Sequence, residues 1–471
     1  MPSWTSPPSS RGPSRWPRAS PRSVRDPVAE RARQRPGGAA VVGDGARTWT
    51  AWDREIDRAA AGLAALGDER IGLRAADRLT LATLALGAVR AGVTGVLVPV
   101  RWPAALAANS LRSAGVRIAV SDLPIPGLRT VGPGELGRQP AVRAADPGAL
   151  TVFTSGSTGA PKAALLPWGA LLASAKGVAP HVGLCEGDRW LLDLPVAHVG
   201  GLGVVIRCAL AGAAVAVPER GWSVAESVEA LRPTHVSFVA TQLRRLLESG
   251  GDRSSLRAVL LGGSAIPADL LRRATEAGLP IATSYGLTEM ASTVTASASR
   301  TDLGTSGRVL PGREVRVERG EIEVRGAARF AGYLTPDGLA APFDADGWFA
   351  TGDLGRFDAE GRLLVEGRAG LRFISGGENV QPEAIERALL ALPGVAEAVV
   401  VPVADEEFGQ RPVAFVRTSS GTAPDAAGLA AALRETLPGF MVPVAFLAWD
   451  GARGMKPDRQ ALAATARQVR S

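Results

Sequence analysis

The sequence predicts an α/β protein: a large N-terminal region of α/β layers with a small β-barrel-like unit, then a small α+β region. Three observations lead to this prediction. From about residue 36 to 330, short β-rich runs alternate with helix-length segments. After about residue 320 the chain changes to short strands and turns. Near residue 371 a separate helix and strand pattern begins. Strand–helix alternation of the first kind is typical of sheets covered by helices.

The β-rich runs of the N-terminal region are almost entirely apolar, as in parallel strands that are buried on both faces. They are AAVVG (39–43), GVLVPV (95–100), RIAVS (117–121), LTVFTS (150–155), AVAVPE (214–219), HVSFVA (235–240) and AVLLGG (258–263). Helix-length segments such as 51–66 and 266–278 lie between them. In folds of this kind, ligands bind at the carboxyl ends of the strands.

The last region is predicted to hold a helix at 381–392, strands at 395–404 and 411–417, and a helix at 426–437. We place the domain boundary in the stretch GRAGLR. The chain then divides into a disordered basic tail (1–30), an N-terminal domain (31–368) and a C-terminal domain (369–471).

Charge and composition narrow the class of protein. The net charge is +7, but residues 1–25 hold five arginines and no acidic residue, so the rest of the chain is near balance. This argues against a nucleic-acid-binding face. The tail has no apolar core of a secretory signal. It is either a disordered extension or a segment similar to an organelle transit peptide.

Compartment and membrane association follow from cysteine usage and hydropathy. Two cysteines among 471 residues suit a reducing, cytoplasmic setting without a disulfide framework. The longest apolar stretch, residues 79–100, is interrupted by Arg90 and by glycines. It is predicted as a helix followed by a buried strand, not as a membrane span.

The stretch TVFTSGSTGAPKAAL (151–165) is the most informative motif. A strand runs into four hydroxyl side chains, two glycines and a lysine: Thr154, Ser155, Gly156, Ser157, Thr158, Gly159 and Lys162. Backbone N–H groups in such a loop turn inward and, with the ammonium group, bind phosphate. An ordinary Gly/Ser turn is the alternative. Because Ala163 follows the lysine, the loop is not a Walker A motif.

Three later motifs are weak alone. In YGLTEMAST (285–293), Tyr285 can stack on a base, Thr288 can donate to a phosphate and Glu289 offers an oxygen to Mg²⁺; the alternative is a helix start with an acid in its first turn. In GWFATGDLGRF (347–357), Asp353 can accept both ribose hydroxyls. In GMKPDRQAL (454–462), Lys456 would ordinarily be a solvated surface charge.

Together these motifs, with EGRAG (366–370) and ISGGENVQPEAIE (374–386), resemble the adenylate-forming superfamily of acyl-CoA synthetases from about residue 30 to the end. The stretches 194–213, 234–247, 311–317 and 401–415 are most similar to the subfamily that joins o-succinylbenzoate to coenzyme A in menaquinone biosynthesis. The resemblance implies an ATP- and Mg²⁺-dependent ligase. Its substrates would be an acid, ATP and CoA, its intermediate an acyl-adenylate, and its small C-terminal domain mobile. Oligomeric state stays open, with a homodimer as one prediction.

The resemblance also implies roles for individual residues. Lys456 would bridge the attacking carboxylate and the α-phosphate, Thr288 would contact that phosphate and Glu289 would bind Mg²⁺. The residues expected to bind nucleotide or the thiol substrate are Thr154, Ser155, Ser157, Thr158, Lys162, Gly263, Ser284, Tyr285, Asp353, Arg368, Gly376 and Gly377.

Two residues are candidates for binding the acid. The resemblance places His198 at the entrance of the carboxylate pocket; a satisfied core histidine is the alternative. Arg207 lies in the apolar stretch GGLGVVIRCALAG, where an unpaired cation is costly. We hypothesise that it recognises the second carboxylate of o-succinylbenzoate. Otherwise it reaches a buried acid or the surface.

This chain departs from the family pattern at three places. Gly370 and Leu371 stand where the hinge carries an acidic pair, Met455 replaces the glycine before the late lysine, and Ala163 replaces a glycine. Met455 and Ala163 remove no charge that the chemistry needs. Glycine at the hinge permits the backbone change, so the domain swing is expected to survive. Two other activities stay open: a ligase for another small carboxylic acid, and an adenylation enzyme that loads a carrier protein.

Overall fold

The described part of the chain contains a pair of large sheets, a small antiparallel sheet and a C-terminal sheet. The computed structural model describes residues 26–137, 143–154, 161–263, 266–298, 302–375, 378–405, 408–451 and 457–470. The predicted loop residues Ser155, Ser157 and Thr158, the predicted thiol-site residues Gly376 and Gly377, and Lys456 lie outside these ranges.

The described helices accompany the two large sheets and the last unit. They are α1 (Pro27–Gln34), α2 (Trp49–Ala65), α3 (Arg78–Ala91), α4 (Ala104–Ser113), α5 (Trp168–Val178), α6 (Val199–Ala211), α7 (Val224–Leu231), α8 (Ala240–Glu248), α9 (Ala268–Glu276), α10 (Pro382–Leu390), α11 (Ala426–Thr436) and α12 (Arg459–Arg470). Several begin with a polar side chain that accepts a backbone N–H, as Asp77 does for α3.

The strands of the first half are β1 (Ala39–Gly43), β2 (Arg47–Thr48), β3 (Arg70–Arg74), β4 (Thr94–Leu97), β5 (Ile118–Ser121), β6 (Arg129–Val131), β7 (Ala149–Thr154), β8 (Lys162–Pro167), β9 (Arg189–Leu191), β10 (Ala214–Val217), β11 (His235–Phe238), β12 (Ala258–Leu261) and β13 (Ile281–Leu287). All seven predicted strands are present, most of them shorter at the carboxyl end than predicted. The helix and strand predicted within residues 79–100 are α3 and β4.

The strands of the second half are β14 (Ser292–Ala296), β15 (Arg308–Val309), β16 (Arg313–Glu318), β17 (Glu321–Gly326), β18 (Gly332–Thr335), β19 (Gly338–Ala340), β20 (Phe349–Phe357), β21 (Leu363–Arg368), β22 (Phe373–Ser375), β23 (Glu378–Val380), β24 (Val395–Asp405), β25 (Gly409–Thr418) and β26 (Ala445–Ala448).

Two large sheets form the N-terminal layers. One has the order β15-β14-β13-β12-β11-β9-β10-β1-β2, and the other β19-β18-β8-β7-β4-β3-β5-β6. The seven predicted strands each have parallel neighbours, for example β4 beside β7 and β11 beside β12. The large core between these sheets and their helices contains the fully buried Trp52 and Trp190. The predicted α/β layers are therefore confirmed.

The antiparallel strand β8 is an element that the sequence pattern did not single out. It returns alongside β7 with Thr154 opposite Lys162, so the stretch predicted to bind phosphate connects two neighbouring strands. On its other side β8 pairs with β18, whose Tyr333 lies opposite Ala164. The side chains at both ends of the predicted loop are thus held at one sheet edge.

Two smaller sheets follow. The order β16-β17-β20-β21 is antiparallel and starts at Arg313, slightly earlier than the predicted change of texture. The C-terminal unit has the order β23-β22-β25-β24, with β26 beside β25 and helices α10–α12 around it. Arg244 of α8 donates to the Ala396 carbonyl at 2.6 Å, a contact between the large layers and this last unit. The boundary at 368/369 stays a prediction.

The predicted end of the N-terminal tail is wrong by about one helical turn. The Asp26 carboxylate accepts the Ala29 N–H at 3.0 Å and caps α1, and proline occupies the first turn, where its missing N–H is harmless. Asp26 also lies 2.9 Å from Arg90, whose side chain is 4% exposed. Residues 27–30 therefore belong to the folded domain and not to a tail.

In the described part of the chain, no helix combines the length and apolar character needed to cross a bilayer. The α3–β4 segment, the most apolar stretch, includes Arg90 paired with Asp53 and Asp57, each at 2.8 Å.

Candidate active site

The sheet edge predicted to bind phosphate is formed by β7, β8 and β18. Lys162 begins β8 with an exposed side chain, and its Nζ lies 5.3 Å from the centre of the Tyr333 ring. Thr154 ends β7 directly opposite. The predicted residues at the two ends of the loop are therefore adjacent, and the ammonium group faces an aromatic ring, a favourable cation–π geometry.

Glu289 is held beside this edge by hydrogen bonds from Phe330 and Tyr333. It lies in the 3₁₀ turn Thr288–Met290, between β13 and β14, and not in the first turn of an α-helix. The Tyr333 hydroxyl donates to Glu289 Oε1 at 2.7 Å, and the Phe330 N–H donates to the Glu289 carbonyl at 2.7 Å. Burial and the carboxylate both raise the pKa of Tyr333, so the phenol stays a donor.

A magnesium ion fits this carboxylate. Mg²⁺ in proteins is commonly bound by one or two carboxylates, with water and substrate phosphates completing the shell. Glu289 is oriented through one oxygen by Tyr333 and lies at the same edge as Lys162, the lysine predicted to bind phosphate. Among the described residues no group of three or more His, Cys, Asp and Glu side chains is arranged around a metal. Glu289 is therefore the predicted protein ligand, beside the phosphates.

Asp353 forms the centre of a second polar cluster. It lies in β20 opposite Arg368 of β21, within the strand and after a left-handed Gly352 rather than in a free turn. Arg368 Nε donates to Asp353 Oδ1 at 2.6 Å, and the Tyr285 hydroxyl donates to Oδ2 at 2.7 Å. Each oxygen keeps a further lone pair, so the carboxylate can still accept from ribose hydroxyls.

Burial and charge decide which proton states this cluster takes. Burial, and then the neighbouring Asp353 carboxylate, raise the pKa of Tyr285 well above its usual value. Burial alone would lower the pKa of Arg368, but Asp353 outweighs it and the pKa is raised. Tyr285 is therefore a neutral donor and Arg368 a permanent cation.

Gly263 and Ser284 lie at the carboxyl end of β12 and in β13. Gly263 has φ +83°, a left-handed conformation that favours glycine. The Ser284 hydroxyl donates to the Leu261 carbonyl at 2.8 Å. An added Cβ at the adjacent Gly262 would lie 2.7 Å from Ser284 Oγ, so the two strands approach closely there. The predicted residues thus share one sheet edge with Tyr285.

His198 is the N-cap residue of α6, and Arg207 lies within the same helix. His198 is the half-buried residue that precedes α6. Arg207 follows nine positions later, about 13 Å along the axis at 1.5 Å per residue. The predicted entrance residue and the predicted second-carboxylate residue are therefore well separated, as two ends of one pocket would be.

Arg207 is a buried cation without a buried acid. Its side chain is 1% exposed, its Nη2 donates to Ser292 Oγ at 2.9 Å, and its guanidinium lies 5.2 Å from the centre of the Trp190 ring. In the part of the chain that the structure describes, Nε has no hydrogen-bond partner and no carboxylate lies within ion-pairing distance. Both alternatives, a buried acid or the surface, are wrong for these residues.

The electrostatics of Arg207 follow from this setting. Burial, and then the positive charge of Arg313, lower the pKa of Arg207 to about 9. A buried cation in this state is stabilised when an anion approaches it. The helix therefore presents a guanidinium suited to a carboxylate.

The start of the predicted C-terminal domain is tied to the nucleotide cluster. β21 ends at Arg368, and the 3₁₀ turn Ala369–Leu371 contains Gly370. The Gln381 side-chain amide donates to the Arg368 carbonyl at 2.9 Å, and the Arg368 N–H donates to Glu383 at 3.2 Å. An added Cβ at Gly370 would meet nothing within 4 Å, so no close packing requires glycine at this position.

Sequence reasoning missed three of these residues. Tyr333, one of only two tyrosines, orients Glu289 although the two are 44 positions apart. Ser292 and Arg313 lie around Arg207, and both sit in stretches already quoted for the resemblance or beside it. A polar residue within an apolar stretch is the sequence signal that could have indicated such residues. Their partners could be identified only from the folded structure.

Comparison with known proteins identifies the class of this arrangement. The pattern of the AMP-binding enzyme family matches residues 28–334, and the pattern of the AMP-binding enzyme C-terminal domain matches residues 384–452. The chain belongs to the AMP-binding enzyme family. It has the adenylate-forming enzyme fold that the motifs predicted.

Individual relatives are more specific. The 2-succinylbenzoate–CoA ligase of Escherichia coli K12 is 41% identical over 315 residues, which are 66% of this chain and 67% of the relative. The o-succinylbenzoate CoA synthetase (MenE) of Bacillus subtilis, in complex with the acyl-adenylate intermediate OSB-AMP, is 29% identical with a TM-score of 0.83, covering 93% of this chain and 97% of that one. Its complex with ATP and magnesium ion matches equally well: TM-score 0.83, 29% identity, 93% and 98% covered.

Proposed function

We propose that this chain joins 2-succinylbenzoate to coenzyme A at the expense of ATP, releasing AMP and pyrophosphate, as a ligase of menaquinone biosynthesis. The family match and the 41% identical 2-succinylbenzoate–CoA ligase support the reaction class. One observation carries the choice of acid. Arg207, 1% exposed, offers a guanidinium without a carboxylate partner among the described residues, which matches an acid with a carboxylate to spare.

The first half-reaction joins two anions. A carboxylate oxygen of the acid attacks the α-phosphorus of ATP, the bond to the bridging oxygen breaks, and pyrophosphate leaves. Charge neutralisation at phosphorus dominates such a step. Lys162, with Thr154 and the loop residues Ser155, Ser157 and Thr158, would bind the β- and γ-phosphates. Thr288 would contact the α-phosphate.

The nucleoside is placed by the second cluster. Asp353, held by Arg368 at 2.6 Å and Tyr285 at 2.7 Å, would accept the ribose hydroxyls. Tyr285 would flank the adenine, next to Gly263 and Ser284. Glu289 would hold Mg²⁺, which supplies charge neutralisation on the phosphate oxygens when bound.

Lys456 would complete the first step. Its ammonium would bridge the attacking carboxylate and the α-phosphate, a task for a compact charge on a flexible stem rather than a planar fork. His198, half-buried at the start of α6, would border the reacting carboxylate. Arg207, farther along the same helix, would bind the ring carboxylate directly or through water.

The second half-reaction transfers the acyl group. The thiolate of CoA attacks the acyl carbon, the acyl–phosphate bond breaks and AMP leaves. A swing of the C-terminal domain about the turn that contains Gly370 would bring Gly376 and Gly377 towards the thiol. Glycine at the hinge permits the backbone change.

Several aspects of the setting are also proposals. ATP and CoA as substrates, and two cysteines of which Cys208 is buried, favour a cytoplasmic enzyme. Small molecules are the expected partners, and no nucleic acid is required. A homodimer stays a prediction that light scattering on the purified chain tests.

The experiment that tests the proposal is pyrophosphate release by the purified chain with ATP and a panel of acids. We expect 2-succinylbenzoate to be the preferred acid, followed by CoA-dependent release of AMP. Preference for a simple benzoate or a fatty acid would favour a different acyl-CoA ligase. Adenylate formation that CoA does not discharge would favour loading of a carrier protein. No acid-dependent ATP consumption would refute the proposal.

A further inference from the structure

A second buried arginine lies close to Arg207. Arg313 begins β16 and is 6% exposed. It is near enough for its charge to lower the pKa of Arg207, and burial lowers its own pKa to about 10. No ion pair joins either arginine to a carboxylate in the described part of the chain. The site therefore holds two buried positive charges with only neutral protein partners.

The guanidinium group of Arg313 donates hydrogen bonds to neutral oxygen atoms in three segments of the chain. Nε donates to the Thr293 carbonyl at 2.9 Å, Nη1 to the Pro311 carbonyl at 2.8 Å, and Nη2 to the Ser174 carbonyl at 2.9 Å and its hydroxyl at 3.1 Å. Because Ser174 belongs to α5 and Thr293 to β14, one planar guanidinium joins this helix to this strand. An added Cβ at Gly177 of α5 would collide with Nη1, so a glycine makes room for it.

The segment that Arg313 supports is strained. Ala291 and Ser292 have φ +52° and +121°, in the region that residues with a side chain rarely adopt. The Ser174 hydroxyl, which accepts from Arg313, donates to the Ala291 carbonyl at 2.8 Å. Such a conformation persists only where surrounding contacts hold it. Here the contacts come from Ser174 and from Arg313 on either side of the turn.

The same turn is the partner of Arg207. Ser292 Oγ accepts from Arg207 Nη2 at 2.9 Å and is the hydrogen-bond partner that the structure gives this guanidinium. A chain of contacts therefore runs from Arg313 through Ser174 and the Ala291–Ser292 turn to Arg207. The Ala291–Ser292 turn directly follows the 3₁₀ turn Thr288–Met290, so along the chain it connects Arg207's partner to the predicted nucleotide residues Thr288 and Glu289.

We propose that Arg313 is a positioning residue that determines acid specificity: it holds the Ala291–Ser292 turn so that Arg207 binds a second carboxylate. Arg313 itself does not touch the acid. Its buried charge also adds to the attraction for a dianion over a monoanion. The inference rests on the proposed function, because it concerns the same acid pocket.

A purely structural role is the competing explanation. Arg313 could stabilise the core without regard to which acid binds. That role would lower activity towards every acid alike, whereas a positioning role lowers activity mainly towards acids that use Arg207. The pair 2-succinylbenzoate and 4-oxo-4-phenylbutanoate separates them, because the second acid lacks only the ring carboxylate.

The test is steady-state pyrophosphate release by the full chain with both acids. For Arg313→Gln we expect kcat/KM for 2-succinylbenzoate to fall about 30-fold, mostly through KM, and that for 4-oxo-4-phenylbutanoate to fall less than about threefold. In a chain that already carries Arg207→Gln, adding Arg313→Gln should lower kcat/KM less than about threefold with either acid. Arg313 is proposed to act through Arg207, which is already absent there. Equal losses for the two acids, or full additivity of the two changes, would overturn the inference.

Two further variants guard against misfolding. Ser174→Ala removes the hydroxyl between Arg313 and the turn while leaving both arginines, and we expect the same preferential loss, about threefold to tenfold. Arg253→Gln is the matched control. Arg253 also donates to a backbone carbonyl, that of Leu246 at 2.7 Å, but among the described residues none of its hydrogen bonds joins it to Arg207, Ser174 or the Ala291–Ser292 turn. It should leave the ratio of the two acids unchanged. If Ser174→Ala also left that ratio unchanged, the inference would fail. A wild-type chain inactive on 2-succinylbenzoate would instead refute the proposed function.

Discussion

The nucleotide end and the acid end of the candidate site treat charge in opposite ways. At the nucleotide end the central carboxylate, Asp353, accepts from the cation Arg368 and from the neutral Tyr285. At the acid end Arg207 and Arg313 are both buried, and their partners among the described residues are neutral oxygens.

This difference indicates two modes of recognition. A compensated cluster is pre-organised and neutral overall, so it can bind the uncharged hydroxyls and base of a nucleoside with little rearrangement. An uncompensated pair of cations raises the free energy of the empty pocket, and an anion that enters it lowers that free energy again. We therefore expect the acid end to select by charge, and the Asp353 cluster to bind the nucleoside by shape and hydrogen bonding.

The largest expected effect concerns the lysine that would join the two ends. Lys456→Ala should slow adenylation about 1,000-fold, or ~4 kcal/mol, because the ammonium group that would bridge the two anions at phosphorus is lost. Transfer from preformed acyl-adenylate to CoA should continue. Rapid-quench measurement of each half-reaction checks this, with the exposed Lys176→Ala as control. Equal loss in both half-reactions would contradict this division of roles.

The next effect tests the acid end. Arg207→Leu should raise KM for 2-succinylbenzoate about 100-fold, because the second carboxylate then enters a pocket without its charged donor. KM for ATP should change less than about twofold. Initial rates with each substrate varied in turn check both values. An unchanged KM for 2-succinylbenzoate would remove Arg207 from recognition.

The nucleotide end should respond in the converse way. Asp353→Asn should raise KM for ATP about 30-fold, because an amide offers one acceptor oxygen where the carboxylate offers two, and Arg368 loses its charged partner. KM for 2-succinylbenzoate should stay within about twofold. Asp252→Asn, at an exposed ion pair with Arg232 at 2.7 Å, is the control. A larger effect on the acid than on ATP would break the proposed division between the two ends.

The smallest effect is a pH dependence confined to the acid end. The pKa of Arg207 is lowered to about 9 by burial and by Arg313, and binding of a carboxylate requires the charged form. KM for 2-succinylbenzoate should therefore rise about fourfold from pH 8 to pH 9.5, as the free enzyme loses that proton. A bound carboxylate raises the pKa again, so kcat should be unaffected by Arg207 over this range. Arg207→Lys would be expected to shift the profile.

KM for ATP provides the internal comparison for that profile. The pKa of Tyr285 and the pKa of Arg368 are both raised, so neither group loses a proton between pH 8 and pH 9.5. A parallel rise in KM for both substrates would show that the whole protein, and not Arg207, responds to pH. Thermal unfolding at each pH separates these two explanations.

Much of the fold could be predicted because its signals are local. The seven apolar runs became strands with parallel neighbours, and the helix and strand within residues 79–100 appeared as predicted. The errors were local as well. The tail was placed four residues too far, since the Asp26–Pro27 capping signal was overlooked, and β8 was not singled out.

The candidate site also contains residues that local motifs could predict and residues that they could not. Thr154, Lys162, Tyr285, Glu289 and Asp353 stood in motifs whose order and spacing carry the resemblance, so they could be named before the fold was known. Tyr333 and Arg313 could not, because their roles arise from contacts across 44 and 139 positions, to Glu289 and Ser174.

The order of amino acids was enough to decide the layered α/β architecture and the chemical inventory of a phosphate-binding, adenylate-forming site, since both depend on short motifs and local periodicity. Folding decided which charges are compensated. Only long-range packing leaves Arg207 at 1% exposure beside a serine hydroxyl while it gives Asp353 two donors. Electrostatic environment is a property of neighbours in space, and neighbours in space are set by the sheets and not by sequence distance.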